Sequence, residues 1–173
     1  IEVQTEQGKG TEFIVCLPLR IQSERQRIEK IAELEGLKAL VVDDDFNTCD
    51  SVTKMLVRVG MRSEWTLSGK EAVLRARQSM ELGDAFHAYI IDWRLPDMNG
   101  IEVTRQIRSL GDDTPIIILT AYDWSEIEAE ARAAGVNAFC AKPIFMSDIR
   151  DTLMTAIGQK QASTDDNILP TAS

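Results

Sequence analysis

Side chains that could act together in chemistry follow four short apolar runs of this sequence. They are Asp43, Asp44 and Asp45 after KALVV, Asp92 after AYII, Thr120 after PIIIL, and Lys142 after AFCA. Each alone could be a solvated strand end, a turn residue or a surface residue, and Asp45 is predicted to cap the following helix. Because four separate runs end on groups of complementary chemistry, we interpret them as parts of one site.

The carboxylates of this set predict a divalent-cation site. Two carboxylates about 4 Å apart repel by roughly 4 kcal/mol at an effective dielectric constant near 20, so three would not stay ionised together without a cation. Oxygen ligands with room for water are what Mg²⁺ prefers, usually beside a phosphate. Lys142 would add a fixed positive charge and Thr120 a hydroxyl donor. Such a set suits a phosphoryl group carried on a carboxylate.

The spacing of the runs predicts the elements that would bring these residues together. Five runs, KALVVD, RSEWT, AYIID, PIIILT and AFCAK, alternate with helical stretches that are followed by Gly60, Gly83, Gly111, Gly135 and Gly158. This alternation predicts an α/β fold with a five-stranded parallel sheet that has helices on both faces. Ser68 and Glu71 match a capping box at the start of the second helix. With the strand order 2-1-3-4-5, the carboxylates of the first and third strands converge at the sheet edge where ligands bind.

The sequence predicts four segments. Residues 1–20 alternate as a β-hairpin around QGKG, and residues 21–36 have apolar residues at helical spacing, which predicts a linker helix that could form a packing or homodimer surface. Residues 37–158 form the α/β domain, and the polar residues 159–173 are expected to be a flexible tail. An isolated hairpin is marginally stable, and the sequence does not begin with Met. We therefore expect a piece of a longer protein.

The composition excludes several classes of function. A net charge of −9 argues against general nucleic-acid binding, which needs a cationic surface. The longest apolar runs, of about five residues, are too short to span a membrane, and the polar N-terminus does not resemble a signal peptide. Cys16, Cys49 and Cys140 match no zinc spacing and are predicted to be free core thiols. We expect a cytoplasmic fragment without membrane contact, within a parent protein that could itself be membrane-anchored.

The ordered motifs LVVDDD, YIIDWRLPDMNG, PIIILTA and AFCAKPI closely resemble the receiver domain of two-component response regulators. The resemblance covers about residues 37–157 and implies a flavodoxin-like fold and Mg²⁺ as cofactor. It implies that Asp92 is the phosphoacceptor and that Asp43 and Asp44 are the acidic pair, with Asp44 contacting Mg²⁺ directly and Asp43 partly through water. The remaining implied features are the Arg94 carbonyl as a metal ligand, phosphoryl contacts from Thr120 and Lys142, and a cis peptide between Lys142 and Pro143.

The same resemblance assigns regulatory positions. Phe139 stands where the family has an aromatic switch residue, so a ring could swing inward when Thr120 moves, but it has no hydroxyl to offer a partner. Arg94 and Tyr122 correspond to positions that tune dephosphorylation. Both side chains are bulky and could obstruct the attacking water, so we expect slow hydrolysis of the acyl phosphate.

The N-terminal stretch EQGKGTEFIVCLPL resembles the last glycine box and closing strands of the ATP-binding domain of sensor histidine kinases. Together the two resemblances imply the C-terminal part of a hybrid histidine kinase in a phosphorelay, with a kinase remnant that cannot bind ATP alone. The single histidine, His87, begins the third strand and is predicted to be a structural or surface residue. The phosphohistidine donor would then be the parent's own kinase core or a separate histidine kinase or phosphotransfer protein.

Two other functions compete with the phosphoacceptor hypothesis. The stretch DDDFNT superficially matches the D-x-D-x-[TV] motif of haloacid-dehalogenase-type hydrolases, in which a first-strand aspartate is the nucleophile, although Asn47 occupies the fifth position. Alternatively, the domain could be an interaction module that has lost phosphorylation. The complete acidic set argues against that second alternative.

Overall fold

The structure, a computed structural model, describes residues 1–18, 31–121 and 124–165. Its strands are β1 (Glu2–Glu6), β2 (Gly10–Ile14), β3 (Lys38–Val42), β4 (Arg62–Thr66), β5 (Ala88–Asp92), β6 (Ile116–Thr120) and β7 (Ala138–Ala141). Its helices are α1 (Phe46–Arg58), α2 (Gly69–Glu81), α3 (Gly100–Ser109), α4 (Glu128–Ala134) and α5 (Met146–Asp165). None of the helices described is long and apolar enough to cross a membrane.

The five strands from β3 to β7 form one parallel sheet in the order β4-β3-β5-β6-β7. This order confirms the predicted 2-1-3-4-5 arrangement. Every residue of β3, β5 and β6 is buried, because two apolar clusters cover the two faces of the sheet. Alternate residues of β3 enter different clusters: Ala39 and Val41 pack with α1 and α5, whereas Leu40 and Val42 pack with α2 and α3. The uninterrupted apolar strands follow from this double coverage.

Side-chain caps fix where the helices begin. The Asp45 carboxylate accepts from Asn47 N at 3.0 Å and caps α1, which confirms the predicted cap. The Ser68 hydroxyl accepts from Glu71 N at 3.1 Å and caps α2. Helix α1 therefore starts immediately after the acidic residues, and α2 starts at Gly69, immediately after its cap Ser68.

The glycine pattern predicted that helix α5 ends at Gly158, but the helix continues to Asp165. A Cβ added at Gly158 would meet nothing within 4 Å, and the glycine has no left-handed φ. An exposed glycine inside a helix costs only about 1 kcal/mol, which flanking helix-forming residues such as Gln and Lys can offset. The predicted tail over residues 159–173 is therefore helical to residue 165, and its remainder lies outside the described residues.

The segments before the sheet agree only partly with the sequence analysis. Strands β1 and β2 pair antiparallel around Gly8, which confirms the hairpin, and all but one of their residues are exposed. The predicted linker helix lies mostly outside the described residues. Its described end, residues 31–36, forms turns instead of helix. These turns bring Leu34 into the core at 0% exposure, so apolar burial and not helical periodicity explains that residue.

Candidate functional site

Three carboxylates meet beyond the carboxyl ends of β3 and β5. One oxygen from each of Asp43, Asp44 and Asp92 lies within 4.8 Å of the other two. The parallel register explains this, because Val42 is paired with Ile91, so the residues that follow them in the chain share one edge. Asp43 is 0% and Asp92 is 8% exposed, whereas Asp44 is exposed to solvent. The predicted convergence of the carboxylates is confirmed.

Lys142 bridges two of these carboxylates. Its Nζ lies 2.6 Å from Asp43 Oδ2 and 2.9 Å from Asp92 Oδ1. The other oxygen of Asp43 accepts a hydrogen bond from Asp45 N at 2.9 Å. The cis peptide between Lys142 and Pro143, implied by the resemblance, is present and follows β7 directly. The ammonium group therefore sits between the acidic side chains rather than at the far rim of the site.

Burial and the neighbouring charges have opposite effects on the pKa values of Asp92 and Lys142. Burial raises the pKa of Asp92 above its ordinary value, although hydrogen bonds from Lys142 and from the Arg94 amide oppose that rise. Burial would lower the pKa of Lys142, but the hydrogen bonds to Asp43 and Asp92 outweigh it and raise that pKa. Lys142 therefore stays a cation, and Asp92 is a more basic carboxylate than an exposed aspartate.

Thr120 and Arg94 occupy positions next to these groups. Thr120 ends β6, is 1% exposed and is paired with Ala141, and its carbonyl accepts from Lys142 N at 2.8 Å. Arg94 lies two residues after Asp92 and forms an isolated antiparallel bridge with Asn99. Tyr122, predicted to tune hydrolysis together with Arg94, lies outside the described residues.

The predicted switch residue, Phe139, lies in β7 and is half-buried. Its ring stacks on the Trp124 ring with centroids 5.6 Å apart and an interplanar angle of 4°. The guanidinium carbon of Arg132 lies 5.7 Å from the centroid of the same ring. The contact of Trp124 with Phe139 could not be predicted, because nothing in the sequence of the loop before α4 indicates that Trp124 reaches β7.

Two other predictions have clear outcomes. His87 Nδ1 accepts from the Lys38 amide at 3.0 Å, at the end of the sheet opposite the carboxylates, which confirms its structural role.

All three cysteines are free, but only Cys49 and Cys140 are buried, and Cys16 is exposed. The prediction of a core thiol is therefore wrong for Cys16. Burial raises the pKa of Cys49 to about 11, so it remains a neutral thiol behind the site.

Asp97, a residue of the loop that joins β5 to α3, was also not predicted from the sequence to have a role. Its carboxylate accepts hydrogen bonds from Gly69 N at 3.0 Å and Lys70 N at 2.8 Å. The motif LPDMNG was recognised, but the partners of Asp97 are backbone amides almost thirty residues earlier in the chain. No side-chain pattern in the sequence marks such partners.

A doubly covered parallel sheet with a carboxylate cluster and a lysine at its carboxyl edge defines a receiver-type signalling domain. Residues 39–154 match the family model described as the response regulator receiver domain. This chain belongs to that family.

Two of its relatives are much longer kinases. The chain is 31% identical over 161 residues to the autoinducer 2 sensor kinase/phosphatase LuxQ of Vibrio vulnificus strain YJ016, covering 89% of this chain and 18% of that protein. It is 34% identical over 121 residues to the hybrid signal transduction histidine kinase L of Dictyostelium discoideum, covering 67% of this chain and 7% of the relative. The chain thus spans less than a fifth of either relative.

Solved structures give the same family and fold. The receiver domain of the sensor histidine kinase PA1611 from Pseudomonas aeruginosa PAO1, with magnesium coordinated in its active-site cleft, is 31% identical with a TM-score of 0.61, covering 71% of this chain and 98% of that one. The chemotaxis protein CheY4 of Vibrio cholerae is 28% identical with a TM-score of 0.65, covering 70% and 98%. The chain therefore has the CheY-like receiver fold of two-component signalling.

Proposed function

We propose that this chain is the phosphoacceptor portion of a hybrid histidine kinase, in which Asp92 receives a phosphoryl group from a phosphohistidine in a Mg²⁺-dependent reaction. The proposal rests on one observation: the carboxylates of Asp43, Asp44 and Asp92 lie close together, and the ammonium group of Lys142 contacts two of them. Three oxygen donors of this type fit a hard divalent cation. The exposed Asp44 is suited to contact the ion directly, and the buried Asp43 to reach it partly through water. The Arg94 carbonyl would be a further ligand.

The residues of the chain can perform the transfer largely by positioning and charge neutralisation. A carboxylate oxygen of Asp92 attacks phosphorus in line with the departing imidazole nitrogen, so an O–P bond forms while the N–P bond breaks. Lys142, freed from part of its contact with Asp92, holds one phosphoryl oxygen, and the Thr120 hydroxyl donates to another. Mg²⁺, when bound, neutralises the negative charge that the phosphoryl oxygens and carboxylates share.

Phosphorylation would be read out on the face formed by α4, β7 and α5. Movement of Thr120 toward the phosphoryl group would vacate space into which the Phe139 ring can turn, and this couples the site to a surface for a downstream partner. Because Phe139 has no hydroxyl, recognition of that surface would depend on its shape and apolar contacts. We further propose slow dephosphorylation, with Arg94 and Tyr122 restricting the approach of water to the acyl phosphate.

The hairpin of β1 and β2 supports the hybrid-kinase part of the proposal. Its sequence resembles the end of a histidine-kinase ATP-binding domain, and its exposed apolar side chains Val3 and Phe13 are paired across the strands on one face. An exposed apolar face suits a segment that packs against the rest of a larger domain. The donor would be the parent's own kinase core or a separate phosphotransfer protein, and we place the fragment in the cytoplasm. The homodimer surface over residues 21–36 stays a prediction.

The competing functions have less support. A hydrolase would need Asp43 as its nucleophile, but one oxygen of Asp43 contacts Lys142, the other accepts from Asp45 N, and the side chain is fully buried. No relative described above is such a hydrolase. An interaction module without phosphorylation would have no need of the intact acidic cluster.

A labelling experiment tests the proposal. The chain is incubated with Mg²⁺ and acetyl phosphate and its mass is measured, and tryptophan fluorescence is followed because Trp93 adjoins Asp92. We expect the added mass of one phosphoryl group and altered emission. Asp92→Asn should abolish labelling without unfolding the domain, whereas the exposed-site control Asp151→Asn should label normally. Labelling that survives Asp92→Asn but is lost in Asp43→Asn would instead favour the hydrolase.

The hydrolysis hypothesis has its own test. After removal of the phosphodonor, the decay of the acyl phosphate is followed in the wild type and in a variant with Arg94→Ala and Tyr122→Ala. We expect faster decay in the variant, because water gains access to phosphorus. A wild type that loses phosphate rapidly, at a rate the double substitution leaves unchanged, would contradict obstruction by these side chains.

A further inference from the structure

Asp97 joins the loop after the acceptor strand to the start of α2. Its two carboxylate oxygens accept hydrogen bonds from Gly69 N and Lys70 N, at 3.0 and 2.8 Å. These amides belong to the first turn of α2, where backbone donors have no partner within the helix. Burial alone would raise the pKa of Asp97, but the two amide hydrogen bonds outweigh it and lower that pKa. The contact is therefore made by an ionised carboxylate.

The loop held by Asp97 is closed on itself at the acceptor. Gly100 N donates to the Trp93 carbonyl at 2.9 Å, and Arg94 is bridged to Asn99. The amide of Arg94 also donates a hydrogen bond to the Asp92 carboxylate. A shift of the loop would therefore move a direct partner of the acceptor.

Tight packing leaves this loop little freedom. A Cβ at Gly69, the first residue of α2, would lie 2.7 Å from Met98 Cγ. A Cβ at Gly100, the first residue of α3, would lie 3.0 Å from the Asp92 carbonyl oxygen. The loop is thus confined between the start of α2 and the backbone of the acceptor strand.

We propose that Asp97 is a positioning residue for the divalent-cation site, because it fixes to α2 the loop that supplies the Arg94 backbone to Asp92 and to the cation. This inference rests on the proposed function, in which the Arg94 carbonyl is a metal ligand. Asp97 does not itself belong to the carboxylate cluster found among the described residues. It acts through the loop, as outer contacts orient the ligands of a metal site.

The experiment compares Asp97→Ala with Ser68→Ala. Both variants remove a side chain that accepts hydrogen bonds from the amides at the start of α2, a carboxylate in the first and a hydroxyl in the second. Each substitution should cost about 1 kcal/mol of stability as a lost helix cap, but only the first frees the loop. Titration with Mg²⁺, followed by Trp93 fluorescence, should show about tenfold weaker binding in Asp97→Ala and unchanged binding in Ser68→Ala. Asp97→Asn, whose amide oxygen can still accept one bond, should be intermediate and replaces Asp97→Ala if that variant does not fold.

A second measurement does not depend on the metal. Without Mg²⁺, amide hydrogen exchange at Arg94 and Gly100 should be faster in Asp97→Ala than in the wild type, and unchanged in Ser68→Ala. Equal Mg²⁺ affinity in wild type and Asp97→Ala, or an equal loss in Ser68→Ala, would overturn the inference. A wild type that binds no Mg²⁺ would instead refute the proposed function, and the exchange rates would still decide whether Asp97 holds the loop.

Discussion

Lys142 is the residue on which the electrostatics of the site depend. Its ammonium group is within hydrogen-bond distance of Asp43 and Asp92, two carboxylates that are almost completely buried. Two buried anions at this separation repel strongly unless a cation lies between them. Because a divalent cation and a lysine neutralise the same charges, the stability of the domain and its affinity for the metal should be linked.

Replacing Lys142 by Met tests this link. The variant should lose about 3 kcal/mol of unfolding free energy without metal, the low end for a broken buried pair because the Lys142 side chain is 25% exposed. Adding Mg²⁺ should raise the stability of the variant more than that of the wild type, since the ion replaces the missing positive charge. Urea unfolding with and without Mg²⁺ provides the measurement.

Lys54→Met is the matched control, because Lys54 forms an exposed pair with Asp50 on α1. Such pairs contribute about 0 to 1 kcal/mol, so this variant should unfold close to the wild type at any Mg²⁺ concentration. If Lys142→Met were as stable as Lys54→Met without metal, the ammonium group would not be needed to hold the two carboxylates together.

Residues at strand ends could be predicted from the sequence, whereas residues with backbone partners in another element could not. Asp92 and Lys142 end apolar runs, and parallel strands bring their carboxyl ends to one edge, so their meeting follows from the pattern. Asp97 lies five residues after Asp92 in the chain, but its partners are amides that are free donors only because α2 begins at Gly69. The capping box at Ser68 predicts that start, but nothing local in the sequence shows that the loop with Asp97 packs against it.

At the scale of elements, the stack of Trp124 on Phe139 joins the loop before α4 to β7. The nearly parallel rings lie 5.6 Å apart, in the range where aromatic pairs attract each other by about 1 kcal/mol beyond their burial. Inward rotation of Phe139 on phosphorylation would have to break this stack. The loop and the switch ring are therefore expected to change together.

A chain in which Trp65 and Trp93 are replaced by Phe leaves Trp124 as the sole tryptophan. Its emission should change when Mg²⁺ and beryllofluoride, a mimic of the phosphoryl group, are added, because Phe139 leaves the Trp124 ring. With Phe139→Leu in the same background, the emission should respond little to beryllofluoride. An equal response with and without the Phe139 ring would show that the stack does not report the switch.

Asp84 links the loop before β5 to strands β3 and β4, at the end of the sheet opposite the carboxylate cluster. Its carboxylate accepts from Arg62 Nη2 at 2.8 Å and from Lys38 Nζ at 3.0 Å. The hydrogen bond from Arg62, followed by that from Lys38, lowers the pKa of Asp84 to about 2. The contact therefore joins β3, β4 and the loop through one ionised group.

The stability contributed by Asp84 should depend on pH in a defined direction. Because the folded-state pKa lies below the ordinary value of 3.8, the contribution is complete above about pH 4 and is lost as the pH falls toward 2. Asp84→Asn should be less stable than the wild type at pH 7, and the difference should shrink in acid. Urea unfolding across this range measures it. Asp151→Asn, which changes an exposed contact with a sequence neighbour, should show no such convergence.

Regular elements were predictable because their signals are local, and departures occurred where tertiary contacts decide. The strands and the caps at Asp45 and Ser68 follow from hydrophobic runs and cap chemistry, whereas the strand order agrees with the flavodoxin-like fold that the family resemblance implied. The expected end of α5 at Gly158 was wrong, because an exposed glycine only weakens a helix. Residues 31–36 form turns because the core takes in Leu34, although the spacing of apolar residues favoured a helix.

At the scale of the whole molecule, the core of the receiver begins before the boundary that the sequence pattern indicates. Leu34 packs in the same cluster as Val59 and Met61, and the Ile31 amide donates to the Val59 carbonyl at 3.1 Å. The hairpin contributes no residue to either core cluster among the described residues. The folding unit therefore comprises the turns from residue 31 onward, but not the hairpin.

Truncation of the chain tests this boundary. A chain that starts at residue 31 should unfold at the same urea concentration as the full chain, because it keeps Leu34. One that starts at residue 37 should lose about 2 to 5 kcal/mol, the usual cost of emptying a buried leucine site. Leu34→Ala in the full chain should reproduce much of this loss, whereas Leu17→Ala, at a side chain that is 72% exposed, should not. Equal stability of the two truncated chains would place the start of the folding unit at β3, and Leu34 would then only cover a core that is complete without it.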